Sequence, residues 1–249
     1  MTIGRPLQPA TFLRRLNRFA ALVHMAGREA VVHLPNSGRL HELLTPGRPS
    51  LVVLPAPGTP RSSSRRTEGE LTFMLGPCSW VSVDARLPGR LFAEALVAGR
   101  LAGFEGHRLV RLEYRPPYAP RSRLDVLIEG PRGPAPVETK SVTLVEDGTG
   151  LFPDAPTARG RRHLQALAQV AAQGRPAHVV FVVQRPDVRR FAPHRRADPE
   201  FARALEQAAE AGVQVRAYAC SVQPPAIEIS REIPVSVEAG RFSPAAGGR

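Results

Sequence analysis

The hydrophobic pattern of this chain changes character at Asp84, and that change most limits what it can fold into. Before it, apolar residues come in strand-length runs divided by turns. Phe12–Met25 reads as strand, Gly27 turns it and Ala30–Leu34 returns. Pro35-Asn36-Ser37-Gly38 reads as a turn and Leu40–Leu44 as a short helix or loop; Ser50–Leu54, Glu70–Leu75 and Ser79–Asp84 are further strands. Short strands with one helical insertion predict a small OB-like β-barrel over residues 1–85. After Asp84 the period lengthens. Pro88–Gly99 predicts a helix with Leu91, Phe92, Ala95 and Leu96 on one face. Strands follow at His107–Arg115, Arg123–Glu129 and Ala135–Thr143, then a helix at Thr157–Gln173. Ala177–Gln184 reads as a buried strand, Pro199–Ala211 as a third helix and Val213–Cys220 as a last core strand. The order predicts an α/β (α+β) domain, a mixed sheet flanked by helices, over 86–232. Residues 233–249, rich in Pro, Gly and small side chains, are expected to form a flexible tail that frays from about Ser230.

Composition excludes several classes. Hydrophobic residues make up 43% and charged residues 22% of the 249, which excludes disorder as the main state. No apolar run approaches the ~18 residues of a membrane helix, so no membrane partner is expected. The two cysteines, Cys78 and Cys220, exclude a disulfide scaffold and a Cys-rich zinc site, and fit a reducing, cytoplasmic setting. A net charge of +12 and a pI near 11.3 imply a polyanionic partner, nucleic acid first. A GC-rich coding bias toward arginine is the competing explanation. That bias does not account for Lys140, the single lysine in the chain. A lysine kept among arginines suggests a place where a compact ammonium is needed and a planar guanidinium does not substitute.

Lys140 sits in a chemically suggestive place. Asp125 lies in the strand pattern Arg123-Leu124-Asp125-Val126-Leu127-Ile128, and Glu138 and Lys140 lie in Val137-Glu138-Thr139-Lys140-Ser141. Residues two apart share a strand face, and a hairpin can bring Asp125 beside them. This is the D…ExK arrangement of phosphodiesterases. Asp125 and Glu138, helped by the Thr139 carbonyl, would hold Mg²⁺ (or Mn²⁺), a hard cation that prefers oxygen. Lys140 would orient the attacking water or stabilise charge on the phosphoryl group. The same spacing also occurs on solvated strand faces. What favours the catalytic reading is the position of the motif, on the second and third strands after a helix, where the restriction-endonuclease-like fold carries it. Glu94 on that helix is a candidate third acid, against a plain surface glutamate. On the later helix Arg159 and His163 are four apart and share a flank, where they would hold a phosphate or simply form a basic face. Gly160 suggests close packing on the sheet, or a weak helix start. Asp154 is expected to cap this helix rather than reach the metal.

Further segments carry a resemblance. Val137–Leu144 (VETKSVTL) and Leu151–Leu164 (LFPDAPTARGRRHL), with Phe12–Phe19, His33–Leu40 and Phe181–Arg185, are similar in kind and order to the sugar fermentation stimulation protein (SfsA-type) family across roughly 10–230. The resemblance implies an N-terminal OB-like domain, a C-terminal PD-(D/E)xK nuclease-like domain and DNA binding, with a name drawn from sugar metabolism. It implies a site of Asp125, Glu138 and Lys140 with Glu94 as the helix acid. Gly89 departs from the family's usual Asn after the proline, and Leu34 from its common Cys before Pro-Asn.

For nucleic-acid contact the sequence offers Arg14, Arg15, Arg18, Asn36 and Arg39, the loop arginines Arg61, Arg65 and Arg66, and Arg159 and His163. The Asn36 turn reads equally as plain turn geometry. Phe12, Phe19 and Phe73 are the stacking candidates, each read first as core. The expected function is a DNA-binding, Mg²⁺-dependent nuclease. A non-catalytic DNA-binding regulator that keeps a nuclease-like shell is the alternative, and RNA is not excluded. Exposed edge strands leave a homodimer open.

Overall fold

A computed structural model describes residues 1–58, 67–116 and 123–238. The first half forms β1 (Leu7–Asn17), β2 (Ala20–Met25), β3 (Arg28–His33), β4 (Pro49–Val53), β5 (Glu70–Leu75) and β6 (Trp80–Ser82). They hydrogen-bond in the order β3-β2-β1-β4-β5-β6, and β3 closes onto β5 in parallel at His33↔Glu70. Closure of five strands makes the expected OB-type barrel, filled by Phe12, Val23, Val32, Leu34, Leu43, Leu71 and Met74. The stretch Phe12–Met25 is two strands rather than one, because the chain turns at Arg18-Phe19. Leu40–Leu44 is a single hydrogen-bonded turn, with Leu43 and Leu44 both donating to the Leu40 carbonyl.

The second half runs α1 (Pro88–Val97), β7 (Arg108–Tyr114), β8 (Leu124–Gly130), β9 (Gly133–Val142), β10 (Val145–Glu146), β11 (Thr149–Phe152), α2 (Ala158–Ala171), β12 (His178–Val183), β13 (Arg190–Pro193), α3 (Pro199–Glu210), β14 (Gln214–Gln223) and β15 (Ala226–Ile233). Its main sheet has the order β15-β14-β12-β9-β8-β7. β9, β12 and β14 are mutually parallel and the other neighbours antiparallel. All six residues of β12 are buried, as a central strand with helices on both faces requires. One core lies under α1 and includes Val126, Val137 and Val180; the other lies under α2 and α3 and includes Leu164, Phe181 and Phe201. This is the mixed, helix-flanked sheet the sequence predicts.

Two features depart from expectation. β10, β11 and β13 form a small second sheet, which strands of two to four residues are too short to announce by periodicity. The C-terminal segment does not fray from Ser230. β15 pairs with β14 to Ile233, and Phe191 then donates to the Pro234 carbonyl and accepts from Ser236. Residues 239–249 lie outside the described residues.

The halves are joined by polar contacts. Gln184 at the end of β12 donates to the Asp84 carbonyl (3.0 Å) and the Ser141 hydroxyl (2.8 Å), and accepts from the Ser82 amide (3.0 Å). The Leu40 amide donates to Asp154 Oδ2 at 3.0 Å. Asp154 therefore does not cap α2; Thr157 is the cap, accepting from the Gly160 amide.

Candidate active site

β8 and β9 pair down to Val126↔Val137 and then part. Continued, the register would set Asp125 opposite Glu138. The strands diverge there instead, and the freed backbone becomes part of the site. The Thr139 amide (2.8 Å) and hydroxyl (2.6 Å) both donate to Asp125 Oδ2. A strand residue's N–H and C=O point to the same side, so the Thr139 carbonyl opens onto the same gap. Glu138 and Lys140 share the face toward α2, as their spacing requires. The Lys140 ammonium donates to Glu138 Oε1 at 2.5 Å, and His163 Nδ1 donates to that same oxygen. The other oxygen, Oε2, is buried and has no hydrogen-bond partner.

The electrostatics follow from crowding. Burial, and then the charge of Glu138, hold the Asp125 carboxyl above the ordinary carboxylate range. Burial also opposes ionisation of Glu138, but Lys140 and His163 outweigh it and hold that carboxyl below its usual value. Two anionic groups are thus pressed together with one buried oxygen unmatched, an arrangement a cation relieves. The donors are carboxylate and carbonyl oxygens, which suit Mg²⁺ or Mn²⁺ rather than a soft metal. Among the described residues no cluster of three His, Cys, Asp or Glu side chains is arranged to hold a metal. Two carboxylates are what Mg²⁺ typically takes, its shell completed by water and substrate phosphate.

The site opens into a cleft of about 950 Å³ lined from both halves of the chain. The barrel supplies Arg18, Asn36, Ser37 and Gly38, and the sheet domain supplies Arg90, Asp125, Glu138, Lys140 and Arg159. Ordinary small-molecule pockets span ~300–1,000 Å³, so this space is at the upper end of that range. Among the described residues Arg18, Arg90 and Arg159 have no carboxylate partner. Arg123 pairs with Glu113 at 3.5 Å, and Arg86 with Asp84 and Glu70.

Several expected residues sit elsewhere. Glu94 is exposed and pairs with the Met1 ammonium at 2.9 Å. The first turn of α1 does face the site: a Cβ on Gly89 would lie 3.3 Å from that of Asp125. Glu94 is five residues further on, about 140° round the helix, and turns away. His163 is buried behind Glu138, so it supports the carboxylate and cannot touch a phosphate; Arg159, one turn earlier, does face the cleft. Arg15 is used internally. Its guanidinium donates to the carbonyls of Asn17, Arg18, Asn36, Gly38 and Arg39, pinning the β1–β2 turn to the 36–39 loop. Asn36 likewise donates to the Val83 carbonyl and accepts from the Gly38 amide. Arg14 and Arg39 are exposed on the barrel outside the cleft. Arg61, Arg65 and Arg66 lie outside the described residues. Phe12 and Phe73 are core, whereas Phe19 is 48% exposed. Arg90 was not anticipated; its place in the first turn of the helix that faces the motif is the signal for it.

Residues 13–83 match the family pattern described as the SfsA N-terminal OB domain, and residues 86–226 that of the sugar fermentation stimulation protein RE domain. A sugar fermentation stimulation protein homolog of Symbiobacterium thermophilum is 45% identical, over 91% of this chain and 93% of its own length. One from Moorella thermoacetica is 44% identical, over 92% and 95%. A solved structure, described as Pyrococcus furiosus SfsA in complex with Ca²⁺, superposes with a TM-score of 0.84 at 35% identity, covering 95% of this chain and 98% of that one.

Proposed function

This chain belongs to the sugar fermentation stimulation protein family, and from that membership and the site geometry we propose that it is a metal-dependent nuclease acting on DNA. The observation that carries the reading is Glu138. One oxygen is fixed by Lys140 and His163, and the other is buried, unpartnered and beside a second carboxylate. A buried, unpartnered carboxylate oxygen calls for a counter-charge, and a bound cation supplies one. The Ca²⁺ in the Pyrococcus furiosus relative supports a hard cation in this fold.

Asp125, Glu138 and the Thr139 carbonyl would hold Mg²⁺, which when bound polarises a phosphate oxygen and acidifies a coordinated water. The protein's own groups do the rest. Thr139 fixes the rotamer of Asp125 through two hydrogen bonds, and His163 fixes that of Glu138. Lys140 holds its ammonium at the carboxylate edge, where it orients a water and stabilises the extra negative charge of a five-coordinate phosphorus. Arg90 and Arg159 line the cleft and would hold the flanking phosphates. The water oxygen bonds to phosphorus and gives up a proton to solvent, the bond to the leaving sugar oxygen breaks, and that oxygen takes up a proton from solvent.

The test is cleavage of labelled single-stranded, duplex and branched DNA with Mg²⁺, Mn²⁺ or EDTA, beside Glu138→Ala and Lys140→Arg. Metal-dependent cutting lost in both variants is expected. Tight DNA binding without cutting under any metal would overturn the nuclease reading and favour a DNA-binding regulator.

A further inference from the structure

Phe19 is the one stacking candidate that is not buried in a core, and its setting is built rather than accidental. Its backbone is fixed, since the Phe19 carbonyl accepts from the Leu34 amide at 2.8 Å and hydrogen-bonds His33 Nδ1 at 3.0 Å. The His33 ring stacks on the Phe19 ring at 6.4 Å between centroids, with planes 29° apart. The Arg18 guanidinium stands over the Phe19 ring, 5.4 Å from its centroid, and Arg18 lines the cleft that holds Asp125 and Glu138. Three planar groups, from His33 through Phe19 to Arg18, thus connect the barrel surface to the cleft. The Arg15 clasp holds the turn that carries two of them.

A half-exposed aromatic ring backing a guanidinium plane that lines a positively charged cleft is an arrangement that stacks an unpaired base while the next phosphates track the arginines. We propose that the Arg18–Phe19 turn is a stacking platform for an unpaired base, so that the substrate enters the site as a single strand or a frayed end, guided by Arg18 and Arg159. This rests on the reading of the cleft as a nucleic-acid site, and it adds a strand preference that the carboxylate site does not contain.

The experiment separates binding from cutting by working in EDTA. The probes are an oligo(dT) of about 12 nucleotides, within the span single OB folds cover, and a blunt hairpin duplex. Phe19→Ala is expected to weaken oligo(dT) binding by about 5- to 150-fold, the range that loss of one base stack gives, and to leave hairpin binding unchanged. In Phe19→Trp, oligo(dT) is expected to quench the new tryptophan emission beyond any change in the wild type, whose sole tryptophan is Trp80. Phe19→Ala binding oligo(dT) as tightly as wild type, or weakening both probes equally, would overturn the platform. Selective loss in EDTA together with no cleavage in Mg²⁺ would support the platform and sink the nuclease reading instead.

Discussion

Replacing Lys140 by arginine would keep the positive charge and lose the compact ammonium. A guanidinium is planar and forked, and the space between Glu138 and the cleft is filled by one nitrogen 2.5 Å from Oε1. Lys140→Arg is therefore expected to lower the cleavage rate by at least ~100-fold, the scale of losing one oriented electrostatic contact, with DNA affinity in EDTA nearly unchanged. Equal turnover would remove the argument from the lone lysine. His163 makes a different prediction. As an outer support of Glu138, its replacement by alanine is expected to weaken Mn²⁺ binding by about 10- to 100-fold, read by titration of the free-metal EPR signal without substrate. At this scale the sequence is legible where the rule is local. Period two put Glu138 and Lys140 on one face without any tertiary information. It could not say that His163 lies beneath the carboxylate while Arg159 faces the cleft, because that depends on how α2 rolls against its neighbours. Glu94 fails for the same reason on α1.

The elements that frame the site are set by where pairing stops and where packing is close. Asp125 meets the Thr139 amide and hydroxyl because β8 and β9 part beyond Val126↔Val137, a break that no propensity encodes. Gly160 in α2 shows close packing deciding against propensity. An added Cβ would lie 2.8 Å from Thr157 Cγ2 and 3.1 Å from the Phe201 ring of α3. Alanine is the better helix former by about 1 kcal/mol. Overpacking costs about 1–3 kcal/mol, and here it would also press the residue that caps the helix. Gly160→Ala is expected to lower the urea midpoint, and a raised midpoint would show that the contact yields. Close packing was foreseen from the sequence, but against the sheet rather than α3. The long helices and the buried β12 were legible from their periods and apolar runs. The sheet of β10, β11 and β13 was not, since strands that short show no period.

Across the whole molecule, charge and pH response follow from groups far from the cleft. His178 at the start of β12 is buried with neither ring nitrogen hydrogen-bonded. Burial first, and then His107, Arg216 and Arg132, push its pKa down to about 3. Above about pH 6.5 the ring is neutral in both folded and unfolded chains and adds no pH dependence. As pH falls toward 3, the unfolded chain takes up a proton that the folded one refuses, so stability drops by up to about 1.4 kcal/mol per pH unit. His178→Leu is expected to remove that part of the slope; urea denaturation at several pH values, compared with wild type, measures the difference. The net charge of +12 would enter binding through salt. With Arg18, Arg90 and Arg159 each neutralising one phosphate of a single strand, log affinity is expected to fall with log salt at a slope of about −2. A slope near zero would deny these arginines a phosphate. Total charge was readable from composition, but its division between Arg15, spent on five carbonyls, and the arginines free in the cleft was not.

The solitary lysine also changes how this protein meets amine chemistry. Acylating reagents, reductive methylation and aldehyde cross-linking seek out ε-amines, which most proteins display by the dozen on their surface. Here the sole ε-amine lies in the cleft with 10% of its side chain exposed. Aldehyde fixation would therefore hold this protein poorly to its neighbours, and an acylating reagent would find one side-chain amine, so the rate of attack there would report directly on what occupies the cleft.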